Sequence, residues 1–111
     1  MTTLTSLLEH LYEGNVVDTA DLARVSETNP RSVARWRSQE SSPRREAEER
    51  LLELRAVIDL ARTVMNDDAA RFWMRSPNRD LGYEKPLDLV AAGNYQRVID
   101  LLLALAEGVT A

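Results

Sequence analysis

The side chains whose types and spacing could do binding chemistry lie in one short basic stretch, residues 29–37, with the sequence NPRSVARWR. Asn29 is a favourable helix N-cap, and Pro30 suits the first helical position, where its missing N–H would be unpaired anyway. A helix beginning here turns its apolar side chains inward: Val33, Ala34 and Trp36. It leaves outward a polar set that can pair with guanine edges or with phosphates: Arg31, Ser32, Arg35 and Arg37. The apolar spacing of residues 20–25 predicts a short helix before it, so the two together have the pattern of a DNA-binding helix-turn-helix.

Catalytic and metal-binding chemistry has few candidates elsewhere. The chain has no cysteine and a single histidine, His10, which leaves no thiolate metal site and no Ser-His or Cys-His nucleophile pair worth considering. The adjacent carboxylates Asp67-Asp68 and Glu48-Glu49 fit the first turns of helices, and a bound cation would need more converging oxygen ligands. We therefore expect neither an enzyme nor a bound cofactor or metal.

The charge balance is acidic overall but basic around the helix-turn-helix pattern. The 111 residues carry a net charge of -4 at pH 7, whereas residues 17–45 hold six arginines against four acidic residues. Because phosphate contacts dominate affinity for nucleic acid, the acidic total argues against strong DNA binding by this chain alone. No apolar run approaches the roughly 20 residues of a membrane span, and the N-terminus lacks the basic region of a signal peptide. We expect a cytoplasmic protein that does not contact a membrane.

Apolar periodicity predicts an all-α fold. A first helix, capped by Thr5 or Ser6, carries three leucines on one face. A long helix over about residues 46–65 follows a polar loop, with apolar residues at three- and four-residue steps: Leu51, Leu54, Ile58, Ala61 and Met65. A shorter helix after it carries Trp73, which we expect in the core. The loop divides a helix-turn-helix region, residues 1–45, from a second helical region, residues 46–111, in one domain or in two small ones that share a core.

The C-terminal region contains two proline breaks and then an unusually apolar final helix. Prolines at Pro77 and Pro86 interrupt regular structure, because proline fixes φ and lacks a backbone donor. The last helix begins near Asn94 or Tyr95, and from residue 98 to residue 106 only Asp100 is not apolar. A surface helix normally keeps a polar face, and a domain this small can rarely enclose a terminal helix. We therefore expect a partner protein to cover part of this helix.

A set of residues in this region carries a resemblance to a known family: Trp73-Met74, Ser76-Pro77-Asn78, Leu81, Lys85-Pro86-Leu87-Asp88-Leu89-Val90, Gly93, Tyr95-Gln96-Arg97-Val98 and Ala106-Glu107-Gly108-Val109. These residues resemble the toxin-binding domain of the ParS/Xre/MbcA family of antitoxins, above all its mycobacterial members. The basic stretch, residues 29–36, is similar to the Xre-like helix-turn-helix that precedes that domain. The two similarities together cover the chain from about Asp18 to its end.

The resemblance implies an antitoxin that neutralises a RES-domain toxin, an enzyme that destroys NAD by hydrolysis or phosphorolysis. It further implies that the last helix and tail block the toxin's NAD pocket, that copies of both proteins assemble into homo- and hetero-oligomers, and that the helix-turn-helix represses the operon by binding operator DNA. On this basis the toxin contacts are expected at the end of the chain: Leu101, Leu102, Leu105, Glu107, Gly108 and Val109. Glu107 is expected to bind an arginine of the toxin that otherwise holds an NAD phosphate.

A second interpretation fits the same elements. The chain could be a stand-alone DNA-binding transcription regulator whose C-terminal half only dimerises. Two recognition helices on one face of the DNA would then add their contacts and offset the acidic net charge. A tail that can be removed without loss of partner binding, together with tight DNA binding, would favour this regulator.

Overall fold

The structure is a computed structural model that describes residues 3–108, and over this range it is built from helices without a β-strand. The α-helices are α1 Leu4–Tyr12, α2 Thr19–Val25, α3 Pro30–Arg37, α4 Arg45–Val64, α5 Asp67–Met74, α6 Pro86–Ala91 and α7 Tyr95–Ala106. Short 3-10 helices lie at Glu13–Asn15 and Arg79–Leu81. The prediction of an all-α fold is confirmed.

Side-chain caps fix where α2 and α3 begin. The Asn29 side chain accepts a hydrogen bond from the N–H of Ser32 at 2.9 Å, with Pro30 in the first turn, as the sequence predicts. At the start of α2, Asp18 and Asp21 each accept the other's backbone N–H at 2.9 Å. These reciprocal bonds satisfy donors that the first turn of a helix leaves unpaired. The starts of α2 and α3, the pair predicted as a helix-turn-helix, are therefore both specified locally.

The structure corrects two local predictions. The cap of α1 is Thr3, which lies before both residues predicted for it and accepts the N–H of Ser6 at 3.1 Å. On α3, Val33 and Trp36 are buried as predicted, whereas Ala34 is exposed. Successive helical residues are about 100° apart, so the residue directly after Val33 lies beyond the narrow buried side of this short helix.

The long helix α4 lies at the centre of the molecule. Its buried residues form one stripe: Leu51, Leu54, Val57, Ile58 and Ala61. This helix contacts α1 and α2, which precede it in the chain, and α5, α6 and α7, which follow it. Met65, predicted to extend the stripe, is only half-buried because the helix ends at Val64.

One hydrophobic core contains residues of both predicted regions, 1–45 and 46–111. Trp73, expected in the core, packs against it but stays half-buried, and its neighbour Phe72 is 76% exposed. The assignment of separate tasks to the two regions stays a prediction.

Arg75 joins the end of α5 to the start of α2. Its guanidinium pairs with the carboxylate of Asp21 and donates to the carbonyls of Val16 at 2.8 Å and Arg71 at 3.0 Å. Burial raises the pKa of Asp21, against the effects of the Asp18 N–H and the Arg75 charge. Burial also opposes ionisation of Asp18, but hydrogen bonds from Asp21 and the Arg75 charge hold the pKa of Asp18 below its ordinary value. The mostly buried Asp21 therefore depends on Arg75 to balance its charge.

Replacing Arg75 by Met should lower the free energy of unfolding by about 2–3 kcal/mol, because Asp21 would keep a buried charge without its cation. Arg24→Met is the matched control. Arg24 pairs with Asp88 at 2.5 Å between α2 and α6, but the two side chains are 53% and 40% exposed, so we expect a loss of about 0–1 kcal/mol. Urea unfolding followed by circular dichroism measures both, and equal losses would contradict the role given to Arg75.

Candidate functional site

α7 lies along α4 and buries one side against it. Val98 and Leu102, one helical turn apart, are fully buried. The outward side of the first half is polar and exposed, and the Gln96 side chain donates to Asp100 at 3.0 Å. The first half of α7 is therefore an ordinary amphipathic surface helix. The prediction that this helix lacks a normal polar face therefore applies only to its second half.

The last turns of α7 expose apolar side chains to solvent. Leu103 is 44% exposed and Leu105 is 39% exposed, while Leu101 is half-buried. Glu107 and Gly108 follow the helix and are exposed as well, and Gly108 adopts a left-handed conformation with φ of 76°. No described atom lies within 4 Å of the position that a β-carbon on Gly108 would take. Leu103 and Leu105 are two residues apart, so they lie on opposite sides of the helix end. We call these five residues, taken together around that end, the C-terminal surface.

The structure separates the residues predicted to contact the toxin. Four of them belong to the C-terminal surface: Leu101, Leu105, Glu107 and Gly108. Val109 lies outside the described residues. Leu102 has a relative exposure of 0%, so its side chain cannot touch a partner while the fold is intact, and we assign it to the core instead.

Sequence reasoning missed Leu103, which is more exposed than Leu105. Where almost every residue is apolar, the spacing of apolar residues does not show which side of the helix is buried, so the sequence did not show which leucines point inward. The one available signal was the four-residue step from Val98 to Leu102, which places both on the same side of the helix.

The segment between the two proline breaks forms a closed loop beside α7. Asn78 organises it: the Asn78 N–H donates to the carbonyl of Glu84 at 3.0 Å, and the Tyr83 N–H donates to the carbonyl of Asn78 at 2.8 Å. The Glu84 carboxylate pairs with Arg97 of α7 at 3.4 Å. We call residues 78–84 the Asn78 loop. It is tied to the solvent-facing side of α7.

The four polar residues predicted to bind DNA do not form one surface. Arg31 and Arg35 are exposed on α3, and Ser32 is half-buried. The Arg37 guanidinium instead lies over the ring of Tyr12, 4.3 Å from its centroid. A step of two residues turns a helix by about 200°, so Arg37 faces α1 while Arg35 lies on the opposite side of α3.

A polar cleft of about 840 Å³ opens beside Arg35, between α3 and the start of α4. Arg35, Arg44 and Arg50 line it, together with two acidic residues, Glu27 and Glu46. Within residues 3–108, Arg35 and Arg44 make no ion pair, whereas Arg50 pairs with its helical neighbour Glu53. Because Glu27 and Glu46 make no ion pair among the described residues either, the cleft holds unpaired charges of both signs.

Comparison with known proteins gives this architecture a family. Residues 54–108 match the family model described as the antitoxin Xre/MbcA/ParS C-terminal toxin-binding domain. The chain is 46% identical to the mycobacterial cidal antitoxin MbcA of Mycobacterium tuberculosis over 89 residues. These residues are 80% of this chain and 79% of that protein. This chain belongs to the Xre/MbcA/ParS family of antitoxins.

The likeness to this family extends over nearly the whole chain. A probable mycobacterial cidal antitoxin of Mycobacterium tuberculosis is 30% identical over 92 residues, which are 83% of this chain and 78% of that protein. The crystal structure of the M. tuberculosis MbcT–MbcA toxin–antitoxin complex contains a chain of the same fold. That chain matches with a TM-score of 0.81 and 40% identity, over 99% of this chain and 96% of its own length.

Family membership also decides what kind of protein this is. The relatives are antitoxins rather than enzymes, which confirms the prediction of a non-enzymatic protein. Between residues 3 and 108, no three His, Asp or Glu side chains come together as metal ligands. Among the helices of that same range, none is long and apolar enough to cross a membrane.

The core position of Leu102 can be tested against the exposed position of Leu105. Leu102→Ala should lower the free energy of unfolding by about 2–5 kcal/mol, because it leaves a cavity between α7 and α4. Leu105→Ala should change it by less than about 1 kcal/mol, because much of that side chain is already in water. Urea unfolding of both variants decides between the positions. A larger loss for Leu105→Ala would contradict the orientation of α7 described above.

Proposed function

We propose that this antitoxin neutralises a cognate RES-domain toxin that degrades NAD, and that the end of α7 and the residues after it block the toxin's NAD pocket. The observation that carries the proposal is the C-terminal surface, where Leu103 and Leu105 are exposed at the end of the chain. Exposed apolar groups of this kind mark interaction sites, and a helix end laid into a groove is a common recognition mode. The similarity to an antitoxin solved in complex with its toxin, MbcA with MbcT, supports a toxin as the partner.

The two leucines alone contribute too little binding free energy for a stable complex. Full burial of a leucine side chain is worth about 1.5–3 kcal/mol, so covering the exposed parts of Leu103 and Leu105 contributes about 1 kcal/mol each. A complex with micromolar affinity needs about 8 kcal/mol. Stable inhibition therefore requires further contacts. Glu107 is one, because a carboxylate can pair in two parallel hydrogen bonds with a toxin arginine that otherwise holds an NAD phosphate.

A chain that ends at Leu103 tests the inhibitory element. NAD consumption by the RES-domain protein encoded beside this one should stop with the full chain and continue with the truncated chain. The truncation removes Leu105, Glu107 and Gly108 but keeps the buried Leu102, so the helical core should remain. Circular dichroism of the truncated chain checks that it does.

Two further arms complete this experiment. Glu107→Arg should weaken inhibition, because it places a cation against the expected toxin arginine, and unchanged inhibition would exclude that contact. If the full chain itself leaves NAD consumption unchanged, the antitoxin assignment fails for that toxin. The runner-up function, a stand-alone transcription regulator whose C-terminal half dimerises, would then be the one to test on DNA.

We also propose that the helix-turn-helix binds operator DNA and represses the antitoxin's own operon, with the chain acting as a homo-oligomer and in larger complexes with the toxin. The supporting observation is the face formed by Arg31, Ser32 and Arg35, which is exposed at the start of α3. Arg31 and Arg35 make no ion pair within residues 3–108, so their donors are available for bases or phosphates. Because contacts of arginine with phosphates release counterions from the DNA, such binding should weaken as the salt concentration rises.

Arg35→Ala should weaken binding to the DNA upstream of the gene by about tenfold, the loss typical of one well-placed arginine contact. Arg37→Ala is the control, because its guanidinium is stacked on Tyr12 and faces away from Arg35. Fluorescence anisotropy at fixed, low salt measures both. Equal weakening by the two variants would show that general positive charge, rather than the face of α3, attracts the DNA.

A further inference from the structure

Tyr83 is an aromatic side chain that the fold holds out in solvent at a conformational cost. Its exposure is 71%, and its φ is 65°, in the left-handed region that bulky residues seldom occupy. The residue before it, Gly82, is left-handed as well. A left-handed non-glycine residue costs about 1–2 kcal/mol and persists only where its surroundings enforce it.

The Asn78 loop supplies that enforcement. Besides its two backbone bonds to Tyr83 and Glu84, the Asn78 side chain accepts the N–H of Asp80 at 2.9 Å. Leu81, in the middle of the loop, is buried in the core, and α6 begins directly after the loop. The loop is therefore closed by hydrogen bonds and anchored by an apolar side chain. A tyrosine has few rotatable side-chain bonds, so on a backbone that is held in place it loses little entropy on binding and makes a strong contact for a partner.

The Asn78 loop is joined by an ion pair to α7, the helix that carries the C-terminal surface. Glu84, next to Tyr83, pairs with Arg97 of α7. Arg97, Leu101 and Leu105 follow one another at four-residue steps, so they lie along one side of the helix. The distance from Arg97 to Leu105 along the axis is about 12 Å at 1.5 Å per residue. The Glu84–Arg97 pair and Leu105 thus mark the two ends of a strip short enough for a single partner to cover, and Tyr83 directly precedes Glu84 in the chain.

We propose that Tyr83 is a second anchor for the toxin, seated in a shallow apolar pocket with a polar rim on the toxin surface. This rests on the proposed function, and it supplies contacts that the leucines and Glu107 lack. The toxin is the occupant that fits, because Tyr83 and the strip both lie within residues 54–108, which match the toxin-binding domain. Phe72 is more exposed, but it lies on α5, whose contacts are with α4, α6 and the 3-10 helix Glu13–Asn15 rather than with α7.

Two substitutions separate the ring from the backbone conformation. Tyr83→Asn removes the ring but suits a left-handed backbone, since asparagine tolerates that conformation well. Tyr83→Phe keeps the ring. Using the full chain and the purified RES-domain toxin, calorimetric titration should give a Kd at least tenfold weaker for Tyr83→Asn and within about threefold of wild type for Tyr83→Phe. The thermal midpoint of the free Tyr83→Asn chain should equal or exceed that of wild type.

Several results would overturn the proposal. A wild-type Kd for Tyr83→Asn would remove the anchor and leave the proposed function intact, whereas failure of the wild-type chain to bind the toxin would remove both. A lower thermal midpoint together with weaker binding would assign Tyr83 to folding instead. A lower mass for the free Tyr83→Asn chain than for the free wild-type chain, measured by light scattering, would show that a second copy of the chain covers Tyr83.

Discussion

The structure depends on one constraint: α4 must bury apolar side chains toward both halves of the chain at once. Its stripe of leucine, valine, isoleucine and alanine contacts α1 and α2 on one side and α5, α6 and α7 on the other. The other helices are short, from six to twelve residues, and helices of that length are marginal by themselves. Their stability therefore comes mainly from packing on α4, and the N-terminal and C-terminal helices share one core.

This arrangement explains why the two candidate surfaces are at the edges of the molecule. α7 uses Val98 and Leu102 against α4, and the leucines on its other sides remain in water. Likewise, α3 buries Val33 and Trp36, and its three arginines have no acidic partner among the described residues. Most other arginines are bound within the fold, as Arg75 is to Asp21. The chain therefore keeps local positive charge on an acidic background.

Several features that depend on near neighbours in the chain were predicted correctly, whereas two that depend on packing between distant helices were not. The start of α3 at Asn29-Pro30 was predicted correctly, because a cap and a first-turn proline act within three residues. Leu102 was predicted wrongly as a contact, because an almost uniformly apolar segment does not reveal which side faces the core. Arg37 was grouped with Arg35, although its position over Tyr12 depends on how α1 packs on α3.

The sequence by itself determined the helical fold, the cap of α3, the breaks around the Asn78 loop and the family, since these follow from local spacing and residue type. Only the tertiary structure decided which leucines of α7 are exposed, which arginines lack an ion pair, and that the loop carrying Tyr83 is tied to α7 through Glu84 and Arg97. The physical reason is that burial and ion pairing join residues far apart in the chain. Their geometry exists only after α4 has brought the other helices together.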